Sequence, residues 1–559
     1  MGRELLRSAS PRSPGRLART VGAAAGLAAG LAAGLAVGAA AGAAAGAVAG
    51  AVAGLAAGAV AGARFSRPFA CAVFVAFFLR PLALAAEAEG APRAEAGPAS
   101  RPNILLAIAD DWGWPHAGAY GDPAVKTPAF DRVAREGVLF RSAFVTAPSC
   151  TPSRGALLTG QWHGRLGGAA NLWSIFPDRL KTYPEILEAA GYFVGSSGKA
   201  WGPGRTETPG RAPAGRPYRD FERFLAARPA GRPFAYWLGS SDPHRPYDEG
   251  SGIAGGIDPA RIRVPAHLPD HPIVRSDLAD YLFEVQRFDA LVGAALAALE
   301  RTGELDRTVV VVTSDNGPPF PRAKANLYDS GTRVPLAVRW PERVPAGRAS
   351  DDLVSLADIA PTFLELAGVS VPRDMTGRSL AAILFSRESG RVDPAREFVL
   401  VGKERHVPCQ EAPDRGGYPC RAIRTHEYLY VRNFRPDRWP AGTPHHERAT
   451  IPGAWYADCD NGPTKRLVVE ARDSGPEARR LYDLAFAKRP TEELYDLAKD
   501  PDQLSNVAGD PKHAAVVEDL RRRLARELVS MGDPRALGRG EDLEEHPYLG
   551  GAPKYGERD

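Results

Sequence analysis

The chain has 559 residues, of which 44% are hydrophobic and 24% charged, so it can bury a sizeable core, and its five cysteines exclude a disulfide-dense secreted module. Residues 1–86 carry eight arginines and one glutamate, a net charge of +7, whereas residues 87–559 carry −3. The overall charge of +4 therefore comes from the N-terminal extension, and we expect no nucleic-acid-binding surface on the folded body.

Residues 1–63 combine an arginine-rich start with a low-complexity Gly/Ala segment. From Val21 to Ala63 no residue is charged, and glycine recurs at every fourth position from Gly22 to Gly62. Such a stripe of small residues suits close packing of transmembrane helices, but Ala and Gly are weakly hydrophobic and Gly is a poor helix former. A membrane anchor and a low-complexity segment without a fold are both open interpretations.

Residues 64–86 resemble a secretory signal peptide. Two arginines precede the apolar run Phe69–Leu79, and Ala83–Ala85 supplies an A-x-A end. We therefore expect an exported body, periplasmic or extracellular. Arg80 and the long upstream extension leave two alternatives, namely that translation starts after the first methionine or that the segment stays uncleaved as an anchor. A linker over residues 87–100 leads into the folded part.

Two short apolar runs, Ile104–Ala109 and Thr308–Thr313, are typical of strands buried on both faces of a parallel sheet. Each run is followed by oxygen-bearing side chains: Asp110 and Asp111 after the first, Asp315 and Asn316 after the second. Because ligands bind beyond the carboxyl ends of such strands, these four would form a site for a hard cation such as calcium or magnesium. Taken alone, Asp after a strand is also a common turn or cap residue.

Helical patterns alternate with the strands, which predicts an α/β sandwich. They cover Pro128–Glu136, Tyr183–Ala190 and Ser276–Glu300, with Ser276 as the N-cap of the last. We place a catalytic domain at residues 101–372.

The C-terminal part has a different character. Phe398–Val401 and Ala422–Asn433 indicate a smaller antiparallel sheet, and Ala514–Met531 indicates an amphipathic closing helix. We place this subdomain at residues 373–535 and an irregular tail at 536–559. Cys409, Cys420 and Cys459 fall here; in an exported protein one pair could be bridged, Cys409 and Cys420 being closest in sequence, but the connectivity does not follow from the sequence. No paired C-x-x-C spacing supports a zinc site.

The strongest chemical signal is Cys150-Thr151-Pro152-Ser153-Arg154. A cysteine just before a helix-opening proline places its sulfur at a helix N-terminus, where anions are stabilised, although a lone cysteine is usually a small buried hydrophobe. The run resembles the signature of the sulfatase family, in the alkaline-phosphatase superfamily, in which a separate formylglycine-generating enzyme oxidises that cysteine to formylglycine.

The resemblance extends over residues 101–510 in the order of the family. The matching blocks are Arg101–Gly121, Lys126–Val138, Gly198-Lys199, Asp242–His244, Asp315–Gly317, Lys324 to Pro335, and Glu493–Pro501. It implies an alkaline-phosphatase-like α/β fold with a large central sheet flanked by helices and a smaller C-terminal antiparallel sheet.

The resemblance also implies the roles of the site residues. Calcium would be held by Asp110, Asp111, Asp315, Asn316 and an oxygen of modified Cys150. The hydrated aldehyde at position 150 would supply the nucleophile, assisted by Arg154. Lys199 and Lys324 would bind sulfate oxygens, and His244 would protonate the leaving group.

One departure from the family pattern concerns a histidine that commonly follows the lysine by two or three residues. Here the sequence continues Lys199-Ala200-Trp201, and no histidine follows Lys199 until His244. The second-histidine role is therefore vacant or filled from elsewhere, and Trp201 is a candidate wall for a sugar ring.

For the substrate, residues 241–246 and 315–328 are similar to the heparan N-sulfatase branch of the family. This similarity implies a sulfated carbohydrate, with N-sulfoglucosamine favoured, cleaved at a sulfamate or a sulfate ester. Candidate substrate contacts are Asp242, Arg245, His406 and Trp201. Further basic residues that would either meet anionic groups or form structural ion pairs are Arg205, Arg322 and Arg333.

Two alternatives remain at this point. Phosphodiesterases and phosphonate monoester hydrolases of the same superfamily use the same cysteine-derived group. The missing histidine also keeps open a non-catalytic, membrane-tethered protein that binds sulfated glycans.

Overall fold

The computed structural model describes residues 101–557. The predicted extension (1–63), signal-like segment (64–86) and linker (87–100) lie outside the described residues. Among the helices of residues 101–557, none combines the length and hydrophobicity that a membrane span requires.

Strands and helices alternate through the first two thirds of the described chain. The strands are β1 (Asn103–Ala109), β2 (Val138–Phe140), β3 (Ala143–Phe144), β4 (Ser174–Phe176), β5 (Phe193–Ser197), β6 (Gly204–Thr206), β7 (Phe234–Gly239), β8 (Thr308–Ser314), β9 (Leu336–Arg339), β10 (Arg348–Ser350), β11 (Val354–Ser355), β12 (Phe398–Lys403), β13 (Cys420–Thr425), β14 (Tyr428–Asn433) and β15 (Glu492–Asp496). The α-helices are α1 (Pro128–Arg135), α2 (Cys150–Thr159), α3 (Tyr183–Ala189), α4 (Phe221–Ala227), α5 (Ser251–Ala254), α6 (Pro272–Arg301), α7 (Asp329–Thr332), α8 (Ile359–Leu366), α9 (Ala381–Phe385), α10 (Pro463–Glu470), α11 (Pro476–Phe486) and α12 (Ala514–Ser530). Short 3₁₀ turns occur at Gly118–Tyr120, His163–Ala170, Pro259–Arg261, Leu356–Asp358, His446–Arg448, Pro511–His513 and Gly540–Leu543.

The main sheet has seven strands in the order β10-β2-β9-β8-β1-β7-β5. β9 runs antiparallel to both of its neighbours, and the other pairings are parallel. β1 and β8 pair in parallel from Asn103 with Thr308 to Ala109 with Ser314, as the two apolar runs predict. The carboxyl ends of β1, β8, β7 and β5 therefore meet at one edge of the sheet.

Side-chain alternation along β1 divides the core between the two faces of this sheet. Leu105 and Ala107 pack in the cluster that contains the apolar stripe of α6, whereas Ile104, Leu106 and Ile108 pack with Leu157 of α2 and with α8 and α9. Both faces are covered by helices, which explains why every residue of β1 and β8 is buried.

Helix α6 begins earlier than the sequence predicts. The expected N-cap, Ser276, lies inside the helix, which starts at Pro272 with His271 as N-cap. The Nδ1 atom of His271 accepts a hydrogen bond from the Ile273 amide at 3.2 Å, and proline is well tolerated in the first turn because its missing N–H would have no partner there.

The smaller sheet is antiparallel, in the order β12-β13-β14-β15. One face packs on α12 through Ile423, Leu494 and Leu524, and the other packs on Leu327 and Tyr328 of the main domain. The expected strand Ala422–Asn433 is a hairpin that turns at His426 and Glu427.

The cysteines of the C-terminal part are free thiols in the structure. Cys409, Cys420 and Cys459 are all buried, and none is paired with another cysteine of the described chain. The bridge considered between Cys409 and Cys420 is therefore not formed.

A buried ion network joins the small sheet to the segment after α12. Arg421 of β13 is fully buried and contacts Glu404 as well as Asp533, whose carboxylate oxygen lies 2.8 Å from Arg421 Nε. Glu404 is shared with Arg535. Removing the central cation would leave two buried carboxylates with incomplete compensation.

We expect Arg421→Ala to lower the free energy of unfolding by about 3 kcal/mol, because breaking a buried pair costs far more than breaking an exposed one. Thermal unfolding followed by circular dichroism measures the effect. The control is Arg435→Ala, which removes a partly exposed pair with Asp437 and should cost under about 1 kcal/mol. Equal losses of unfolding free energy in the two variants would contradict a stabilising role of the buried ion network.

Candidate active site

The acidic residues after β1 and β8 come together as the register of these strands requires. The Asp111 amide donates to Asp315 Oδ1 at 3.0 Å, and Asn316 Nδ2 donates to Asp111 Oδ1 at 2.6 Å. Asp111 has a φ of 74°, a left-handed conformation that Asp tolerates better than most residues. Asp110, Asp111, Asp315 and Asn316 are all buried.

The cluster fits a hard divalent cation. Asn316 Oδ1 is buried and has no hydrogen-bond partner among the described residues, so one oxygen acceptor is left unsatisfied. Burial raises the pKa of Asp315 to about 6 although Arg154 opposes this shift, and the charge of Asp110 adds to the rise. A bound cation would satisfy the free oxygen and keep the carboxylates ionised, and an oxygen-only ligand set suits calcium or magnesium.

Cys150 is the first residue of α2, and its sulfur lies 3.5 Å from Asp110 Oδ1. Oxygen and sulfur atoms of Asp110, Cys150 and Asp315 all lie within 4.8 Å of one another. Burial raises the pKa of the Cys150 thiol well above its usual value, so the unmodified side chain is a poor thiolate nucleophile.

Arg154, one turn further along α2, is fully buried beneath the cluster. Its Nε lies 2.6 Å from Asp315 Oδ2, and its Nη2 lies 3.6 Å from Asp110 Oδ1. Nη1 donates to the Lys199 carbonyl at 2.9 Å. Arg154 thus compensates two acidic residues and also holds the turn that carries Lys199.

Lys199 follows β5 and points at the acidic cluster, with Nζ 2.5 Å from Asp110 Oδ2. Burial alone would raise the pKa of Asp110, but the charges of Lys199 and Arg154 outweigh burial and lower it. The turn is tight: a Cβ on Gly198 would lie 2.0 Å from the Gly239 carbonyl oxygen, and a Cβ on Gly239 would lie 1.9 Å from the Lys199 carbonyl oxygen.

His244 and Asp242 follow β7 at the same edge of the sheet. The Asp110 amide donates to the Asp242 carbonyl at 3.0 Å. His244 Nδ1 lies 2.5 Å from the Arg245 carbonyl oxygen, and because a carbonyl only accepts, Nδ1 carries a proton. His244 Nε2 lies 3.8 Å from Asp111 Oδ2 and is the ring nitrogen left for a substrate.

Lys324 is held between two carboxylates. Its Nζ lies 2.7 Å from Asp111 Oδ2 and 3.0 Å from Asp460 Oδ2. Asp460, which precedes α10 and lies 136 residues from Lys324, is not among the site residues expected from the sequence. No local motif marks Asp460; its contact with Lys324 arises only from the packing of the C-terminal part on the main domain.

A second histidine enters the site from that C-terminal part. His406 lies just after β12, and its Nδ1 shares a hydrogen bond of 2.8 Å with the Ser149 hydroxyl, next to Cys150. Burial lowers the pKa of His406 to about 4, so its imidazole is neutral at pH 7.

These groups surround a cavity of about 530 Å³. Of the expected site residues, those on its wall are Asp110, Cys150, Lys199, Asp242, His244, Arg245, Lys324 and His406. Asp111, Arg154, Asp315 and Asn316 are not on this wall. Asp111 contacts Lys324 and Arg154 contacts the Lys199 carbonyl, whereas Asp315 and Asn316 each contact Asp111. Arg245 also lies on the wall, and its Nη2 donates to both carboxylate oxygens of Asp277, at 2.8 and 2.7 Å.

Four other expected contacts lie away from this wall. Trp201 packs against Phe176 with ring centroids 5.0 Å apart, in a hydrophobic cluster with Leu166, and is not among the residues on this wall. Arg205 is exposed on β6. The two remaining arginines have structural partners: Arg322 donates to the Leu484 carbonyl, and Arg333 stacks on Trp114 and donates to the Arg141 carbonyl.

The mixed sheet, with a cysteine, an arginine and acidic groups at its carboxyl edge, has the alkaline-phosphatase-like fold. The sequence matches the Sulfatase family over residues 102–211 and 216–369. It is 31% identical to human N-sulphoglucosamine sulphohydrolase over 498 residues, covering 80% of this chain and 94% of that protein. The chain therefore belongs to the sulfatase family and is a sulfuric ester hydrolase.

Solved structures agree on the fold. One, described as a complex with its substrate D-glucosamine-2-N,6-O-disulfate, superposes with a TM-score of 0.56 at 20% identity, covering 80% of this chain and 99% of that one. The phosphonate monoester hydrolase of Agrobacterium radiobacter gives 0.53 at 20% identity, covering 80% and 97%. At these identities the likeness concerns the fold alone.

We expect Gly239→Ala to lower the free energy of unfolding by about 2 kcal/mol, because the added methyl group must displace the backbone at Lys199. The control is Gly293→Ala within α6, where the nearest atom would be 3.6 Å away; it should raise stability by up to about 1 kcal/mol because alanine favours the helix. Thermal unfolding measures both. Unchanged stability in Gly239→Ala would contradict the close approach of Gly239 to the Lys199 carbonyl.

Proposed function

We propose that this sulfatase hydrolyses the sulfamate of N-sulfoglucosamine, or a sulfate ester on a related sulfated carbohydrate, with formylglycine at position 150 and a bound calcium ion. The observation that carries the proposal is that Cys150 and Lys199 both contact Asp110 of the acidic cluster and lie on the wall of one cavity. The similarity to human N-sulphoglucosamine sulphohydrolase along nearly its whole length supports the sulfamate substrate.

Cys150 is the proposed site of the nucleophile. Formylglycine, made from this cysteine by a formylglycine-generating enzyme, supplies a hydroxyl of its hydrated aldehyde for attack on sulfur. Asp110, Asp111, Asp315 and Asn316 would hold calcium, which would supply positive charge to acidify a hydroxyl and to stabilise developing negative charge. Arg154 holds the carboxylate of Asp315 in place through its 2.6 Å contact.

The two lysines are the proposed sulfate-binding groups. Lys199 and Lys324 both line the cavity beside Cys150, and both ammonium groups stay charged because the neighbouring carboxylates outweigh their burial and raise their pKa. Their fixed positive charges suit the oxygens of a sulfate group on which negative charge develops.

His244 is the proposed proton donor to the leaving amine or alcohol. Its Nδ1 proton is fixed by the Arg245 carbonyl, which leaves Nε2 directed at the cavity to carry the transferred proton. His406 is the proposed replacement for the histidine missing after Lys199, because it binds Ser149 next to Cys150 and holds the start of α2.

The proposal includes export. The signal-like segment at residues 64–86 supports a periplasmic or extracellular body, and an uncleaved segment would anchor it to the membrane.

Protein produced together with a formylglycine-generating enzyme should contain a Cys150 peptide about 18 Da lighter than the cysteine form and should release sulfate from N-sulfoglucosamine. Peptide mass spectrometry and ion chromatography measure the two quantities. Cys150→Ala should lose both. Cys420→Ala, which removes a buried thiol of the small sheet, should keep both. Sulfate release that persists in Cys150→Ala would refute the nucleophile.

The same assay separates the substrates. Conversion of Cys150 with turnover of 4-nitrophenyl sulfate but not of any sulfated sugar would refute the carbohydrate substrate. Preferred turnover of a phenyl phosphonate monoester would favour the phosphonate hydrolase alternative, whose fold this chain shares.

We expect Asn316→Leu to weaken calcium binding by about tenfold or more, because it removes the unsatisfied oxygen ligand and keeps a side chain of similar volume. Calorimetric titration of calcium into chelator-treated protein measures the affinity, and the calcium-dependent rise of the unfolding temperature should shrink in parallel. Asp473→Asn, an exposed carboxylate near α11, serves as the control. Equal affinity in both variants would place the ion elsewhere.

A further inference from the structure

The C-terminal tail, defined here as residues 544–557, runs along the catalytic cavity. Glu544 at its start pairs with Arg438 and Arg535, at 3.0 and 2.8 Å. Arg405 then donates to the His546 carbonyl at 2.8 Å, and near the end the Tyr555 amide donates to the Gly453 carbonyl at 2.9 Å. The tail is therefore bound to the body at its beginning, middle and end.

The middle of the tail holds Trp173 in an unusual conformation. Trp173 has a φ of 50°, which is uncommon for a bulky residue, and its carbonyl accepts a hydrogen bond of 2.8 Å from the Leu549 amide. Gly550 packs against the indole so closely that a Cβ on it would lie 2.3 Å from Trp173 Cγ. Asn171 strengthens the attachment by donating to the Leu543 carbonyl at 2.8 Å.

The indole still has an open surface, since 36% of Trp173 is exposed, a large fraction for a tryptophan held on both sides by the chain. Trp173 lines the same cavity as Cys150 and Lys199, together with Tyr548, Gly551 and Pro553 of the tail. Half of the other residues on this wall are charged, and the indole is the largest apolar side chain on it.

We propose that Trp173, fixed by the tail, is the surface on which the sugar ring of the substrate stacks. The C–H groups on one face of a pyranose are apolar and pack well against an indole, whereas the sulfate is bound separately at Lys199 and Lys324. This inference rests on the proposed function, because it requires a carbohydrate substrate. It assigns sugar binding to a tryptophan and a tail that follow no family motif in the sequence.

Two measurements test the stacking surface. The first is calorimetric titration of N-sulfoglucosamine into calcium-loaded Cys150→Ala protein, which reports binding without turnover. The second is KM, kcat and inhibition by inorganic sulfate in the converted enzyme. We expect Trp173→Ala to weaken sugar binding and raise KM by about tenfold, with kcat changed less than about threefold and sulfate inhibition unchanged. Trp173→Tyr should restore most of the affinity.

A substitution at Gly550 tests whether the tail fixes the position of the Trp173 indole. Gly550→Ala should raise KM in the same way, because its methyl group must displace the indole or the tail. The control is Gly509→Ala, where an added methyl meets no atom within 4 Å. Thermal unfolding of each variant checks that the fold is kept.

The outcomes distinguish this inference from the proposed function. Turnover of N-sulfoglucosamine that is unchanged in Trp173→Ala would overturn the stacking surface and leave the sulfatase proposal intact. Absence of turnover, with sugar binding that depends on Trp173, would refute the substrate and support the surface. Equal weakening of sugar binding and of sulfate inhibition would also overturn the proposal, because it would indicate a general disturbance of the cavity.

Discussion

The parallel register of β1 with β8 is the constraint on which the rest of the site depends. Because Ala109 pairs with Ser314, the next residues of both strands emerge side by side, and three carboxylates are forced into one buried cluster. Buried like charges are stable only if positive charge lies close to them. Arg154, Lys199 and Lys324 supply this charge, so the residues that stabilise the buried carboxylates are the same residues to which the proposed function assigns the chemistry.

The charge balance also shows why the site suits a divalent cation. The lysine ammonium groups are bound to Asp110 and Asp111, while Asp315 still has a raised pKa and Asn316 Oδ1 is unsatisfied. A cation on the carboxylates would take over part of the compensation that the lysines provide. Both ammonium groups would then be available to an anion in the cavity, which couples metal binding to sulfate binding by electrostatics alone.

The sequence predicts the inner part of the site well because its residues sit at fixed offsets from recognisable elements. Asp110 and Asp315 follow apolar strands, and Arg154 lies one helical turn after Cys150. Prediction is poorer where the position depends on long-range packing. Asp460 and Trp173 lie in irregular segments without periodicity. Trp201 is two residues from Lys199 in the sequence, but its side chain packs in a hydrophobic cluster and not on the cavity wall.

The groups near Cys150 and the outer wall of the cavity come from different kinds of structural element. The groups nearest to Cys150 come from strand ends and from α2, which are buried on all sides and therefore rigid. Part of the outer wall comes from loops of the C-terminal part and from the tail, which are held by backbone hydrogen bonds and ion pairs. Loops tolerate substitution better than a packed sheet does. Under the proposed function, substitutions around Trp173 and Tyr548 would therefore change the sugar that is accepted, without disturbing the buried charges proposed to act on the sulfate.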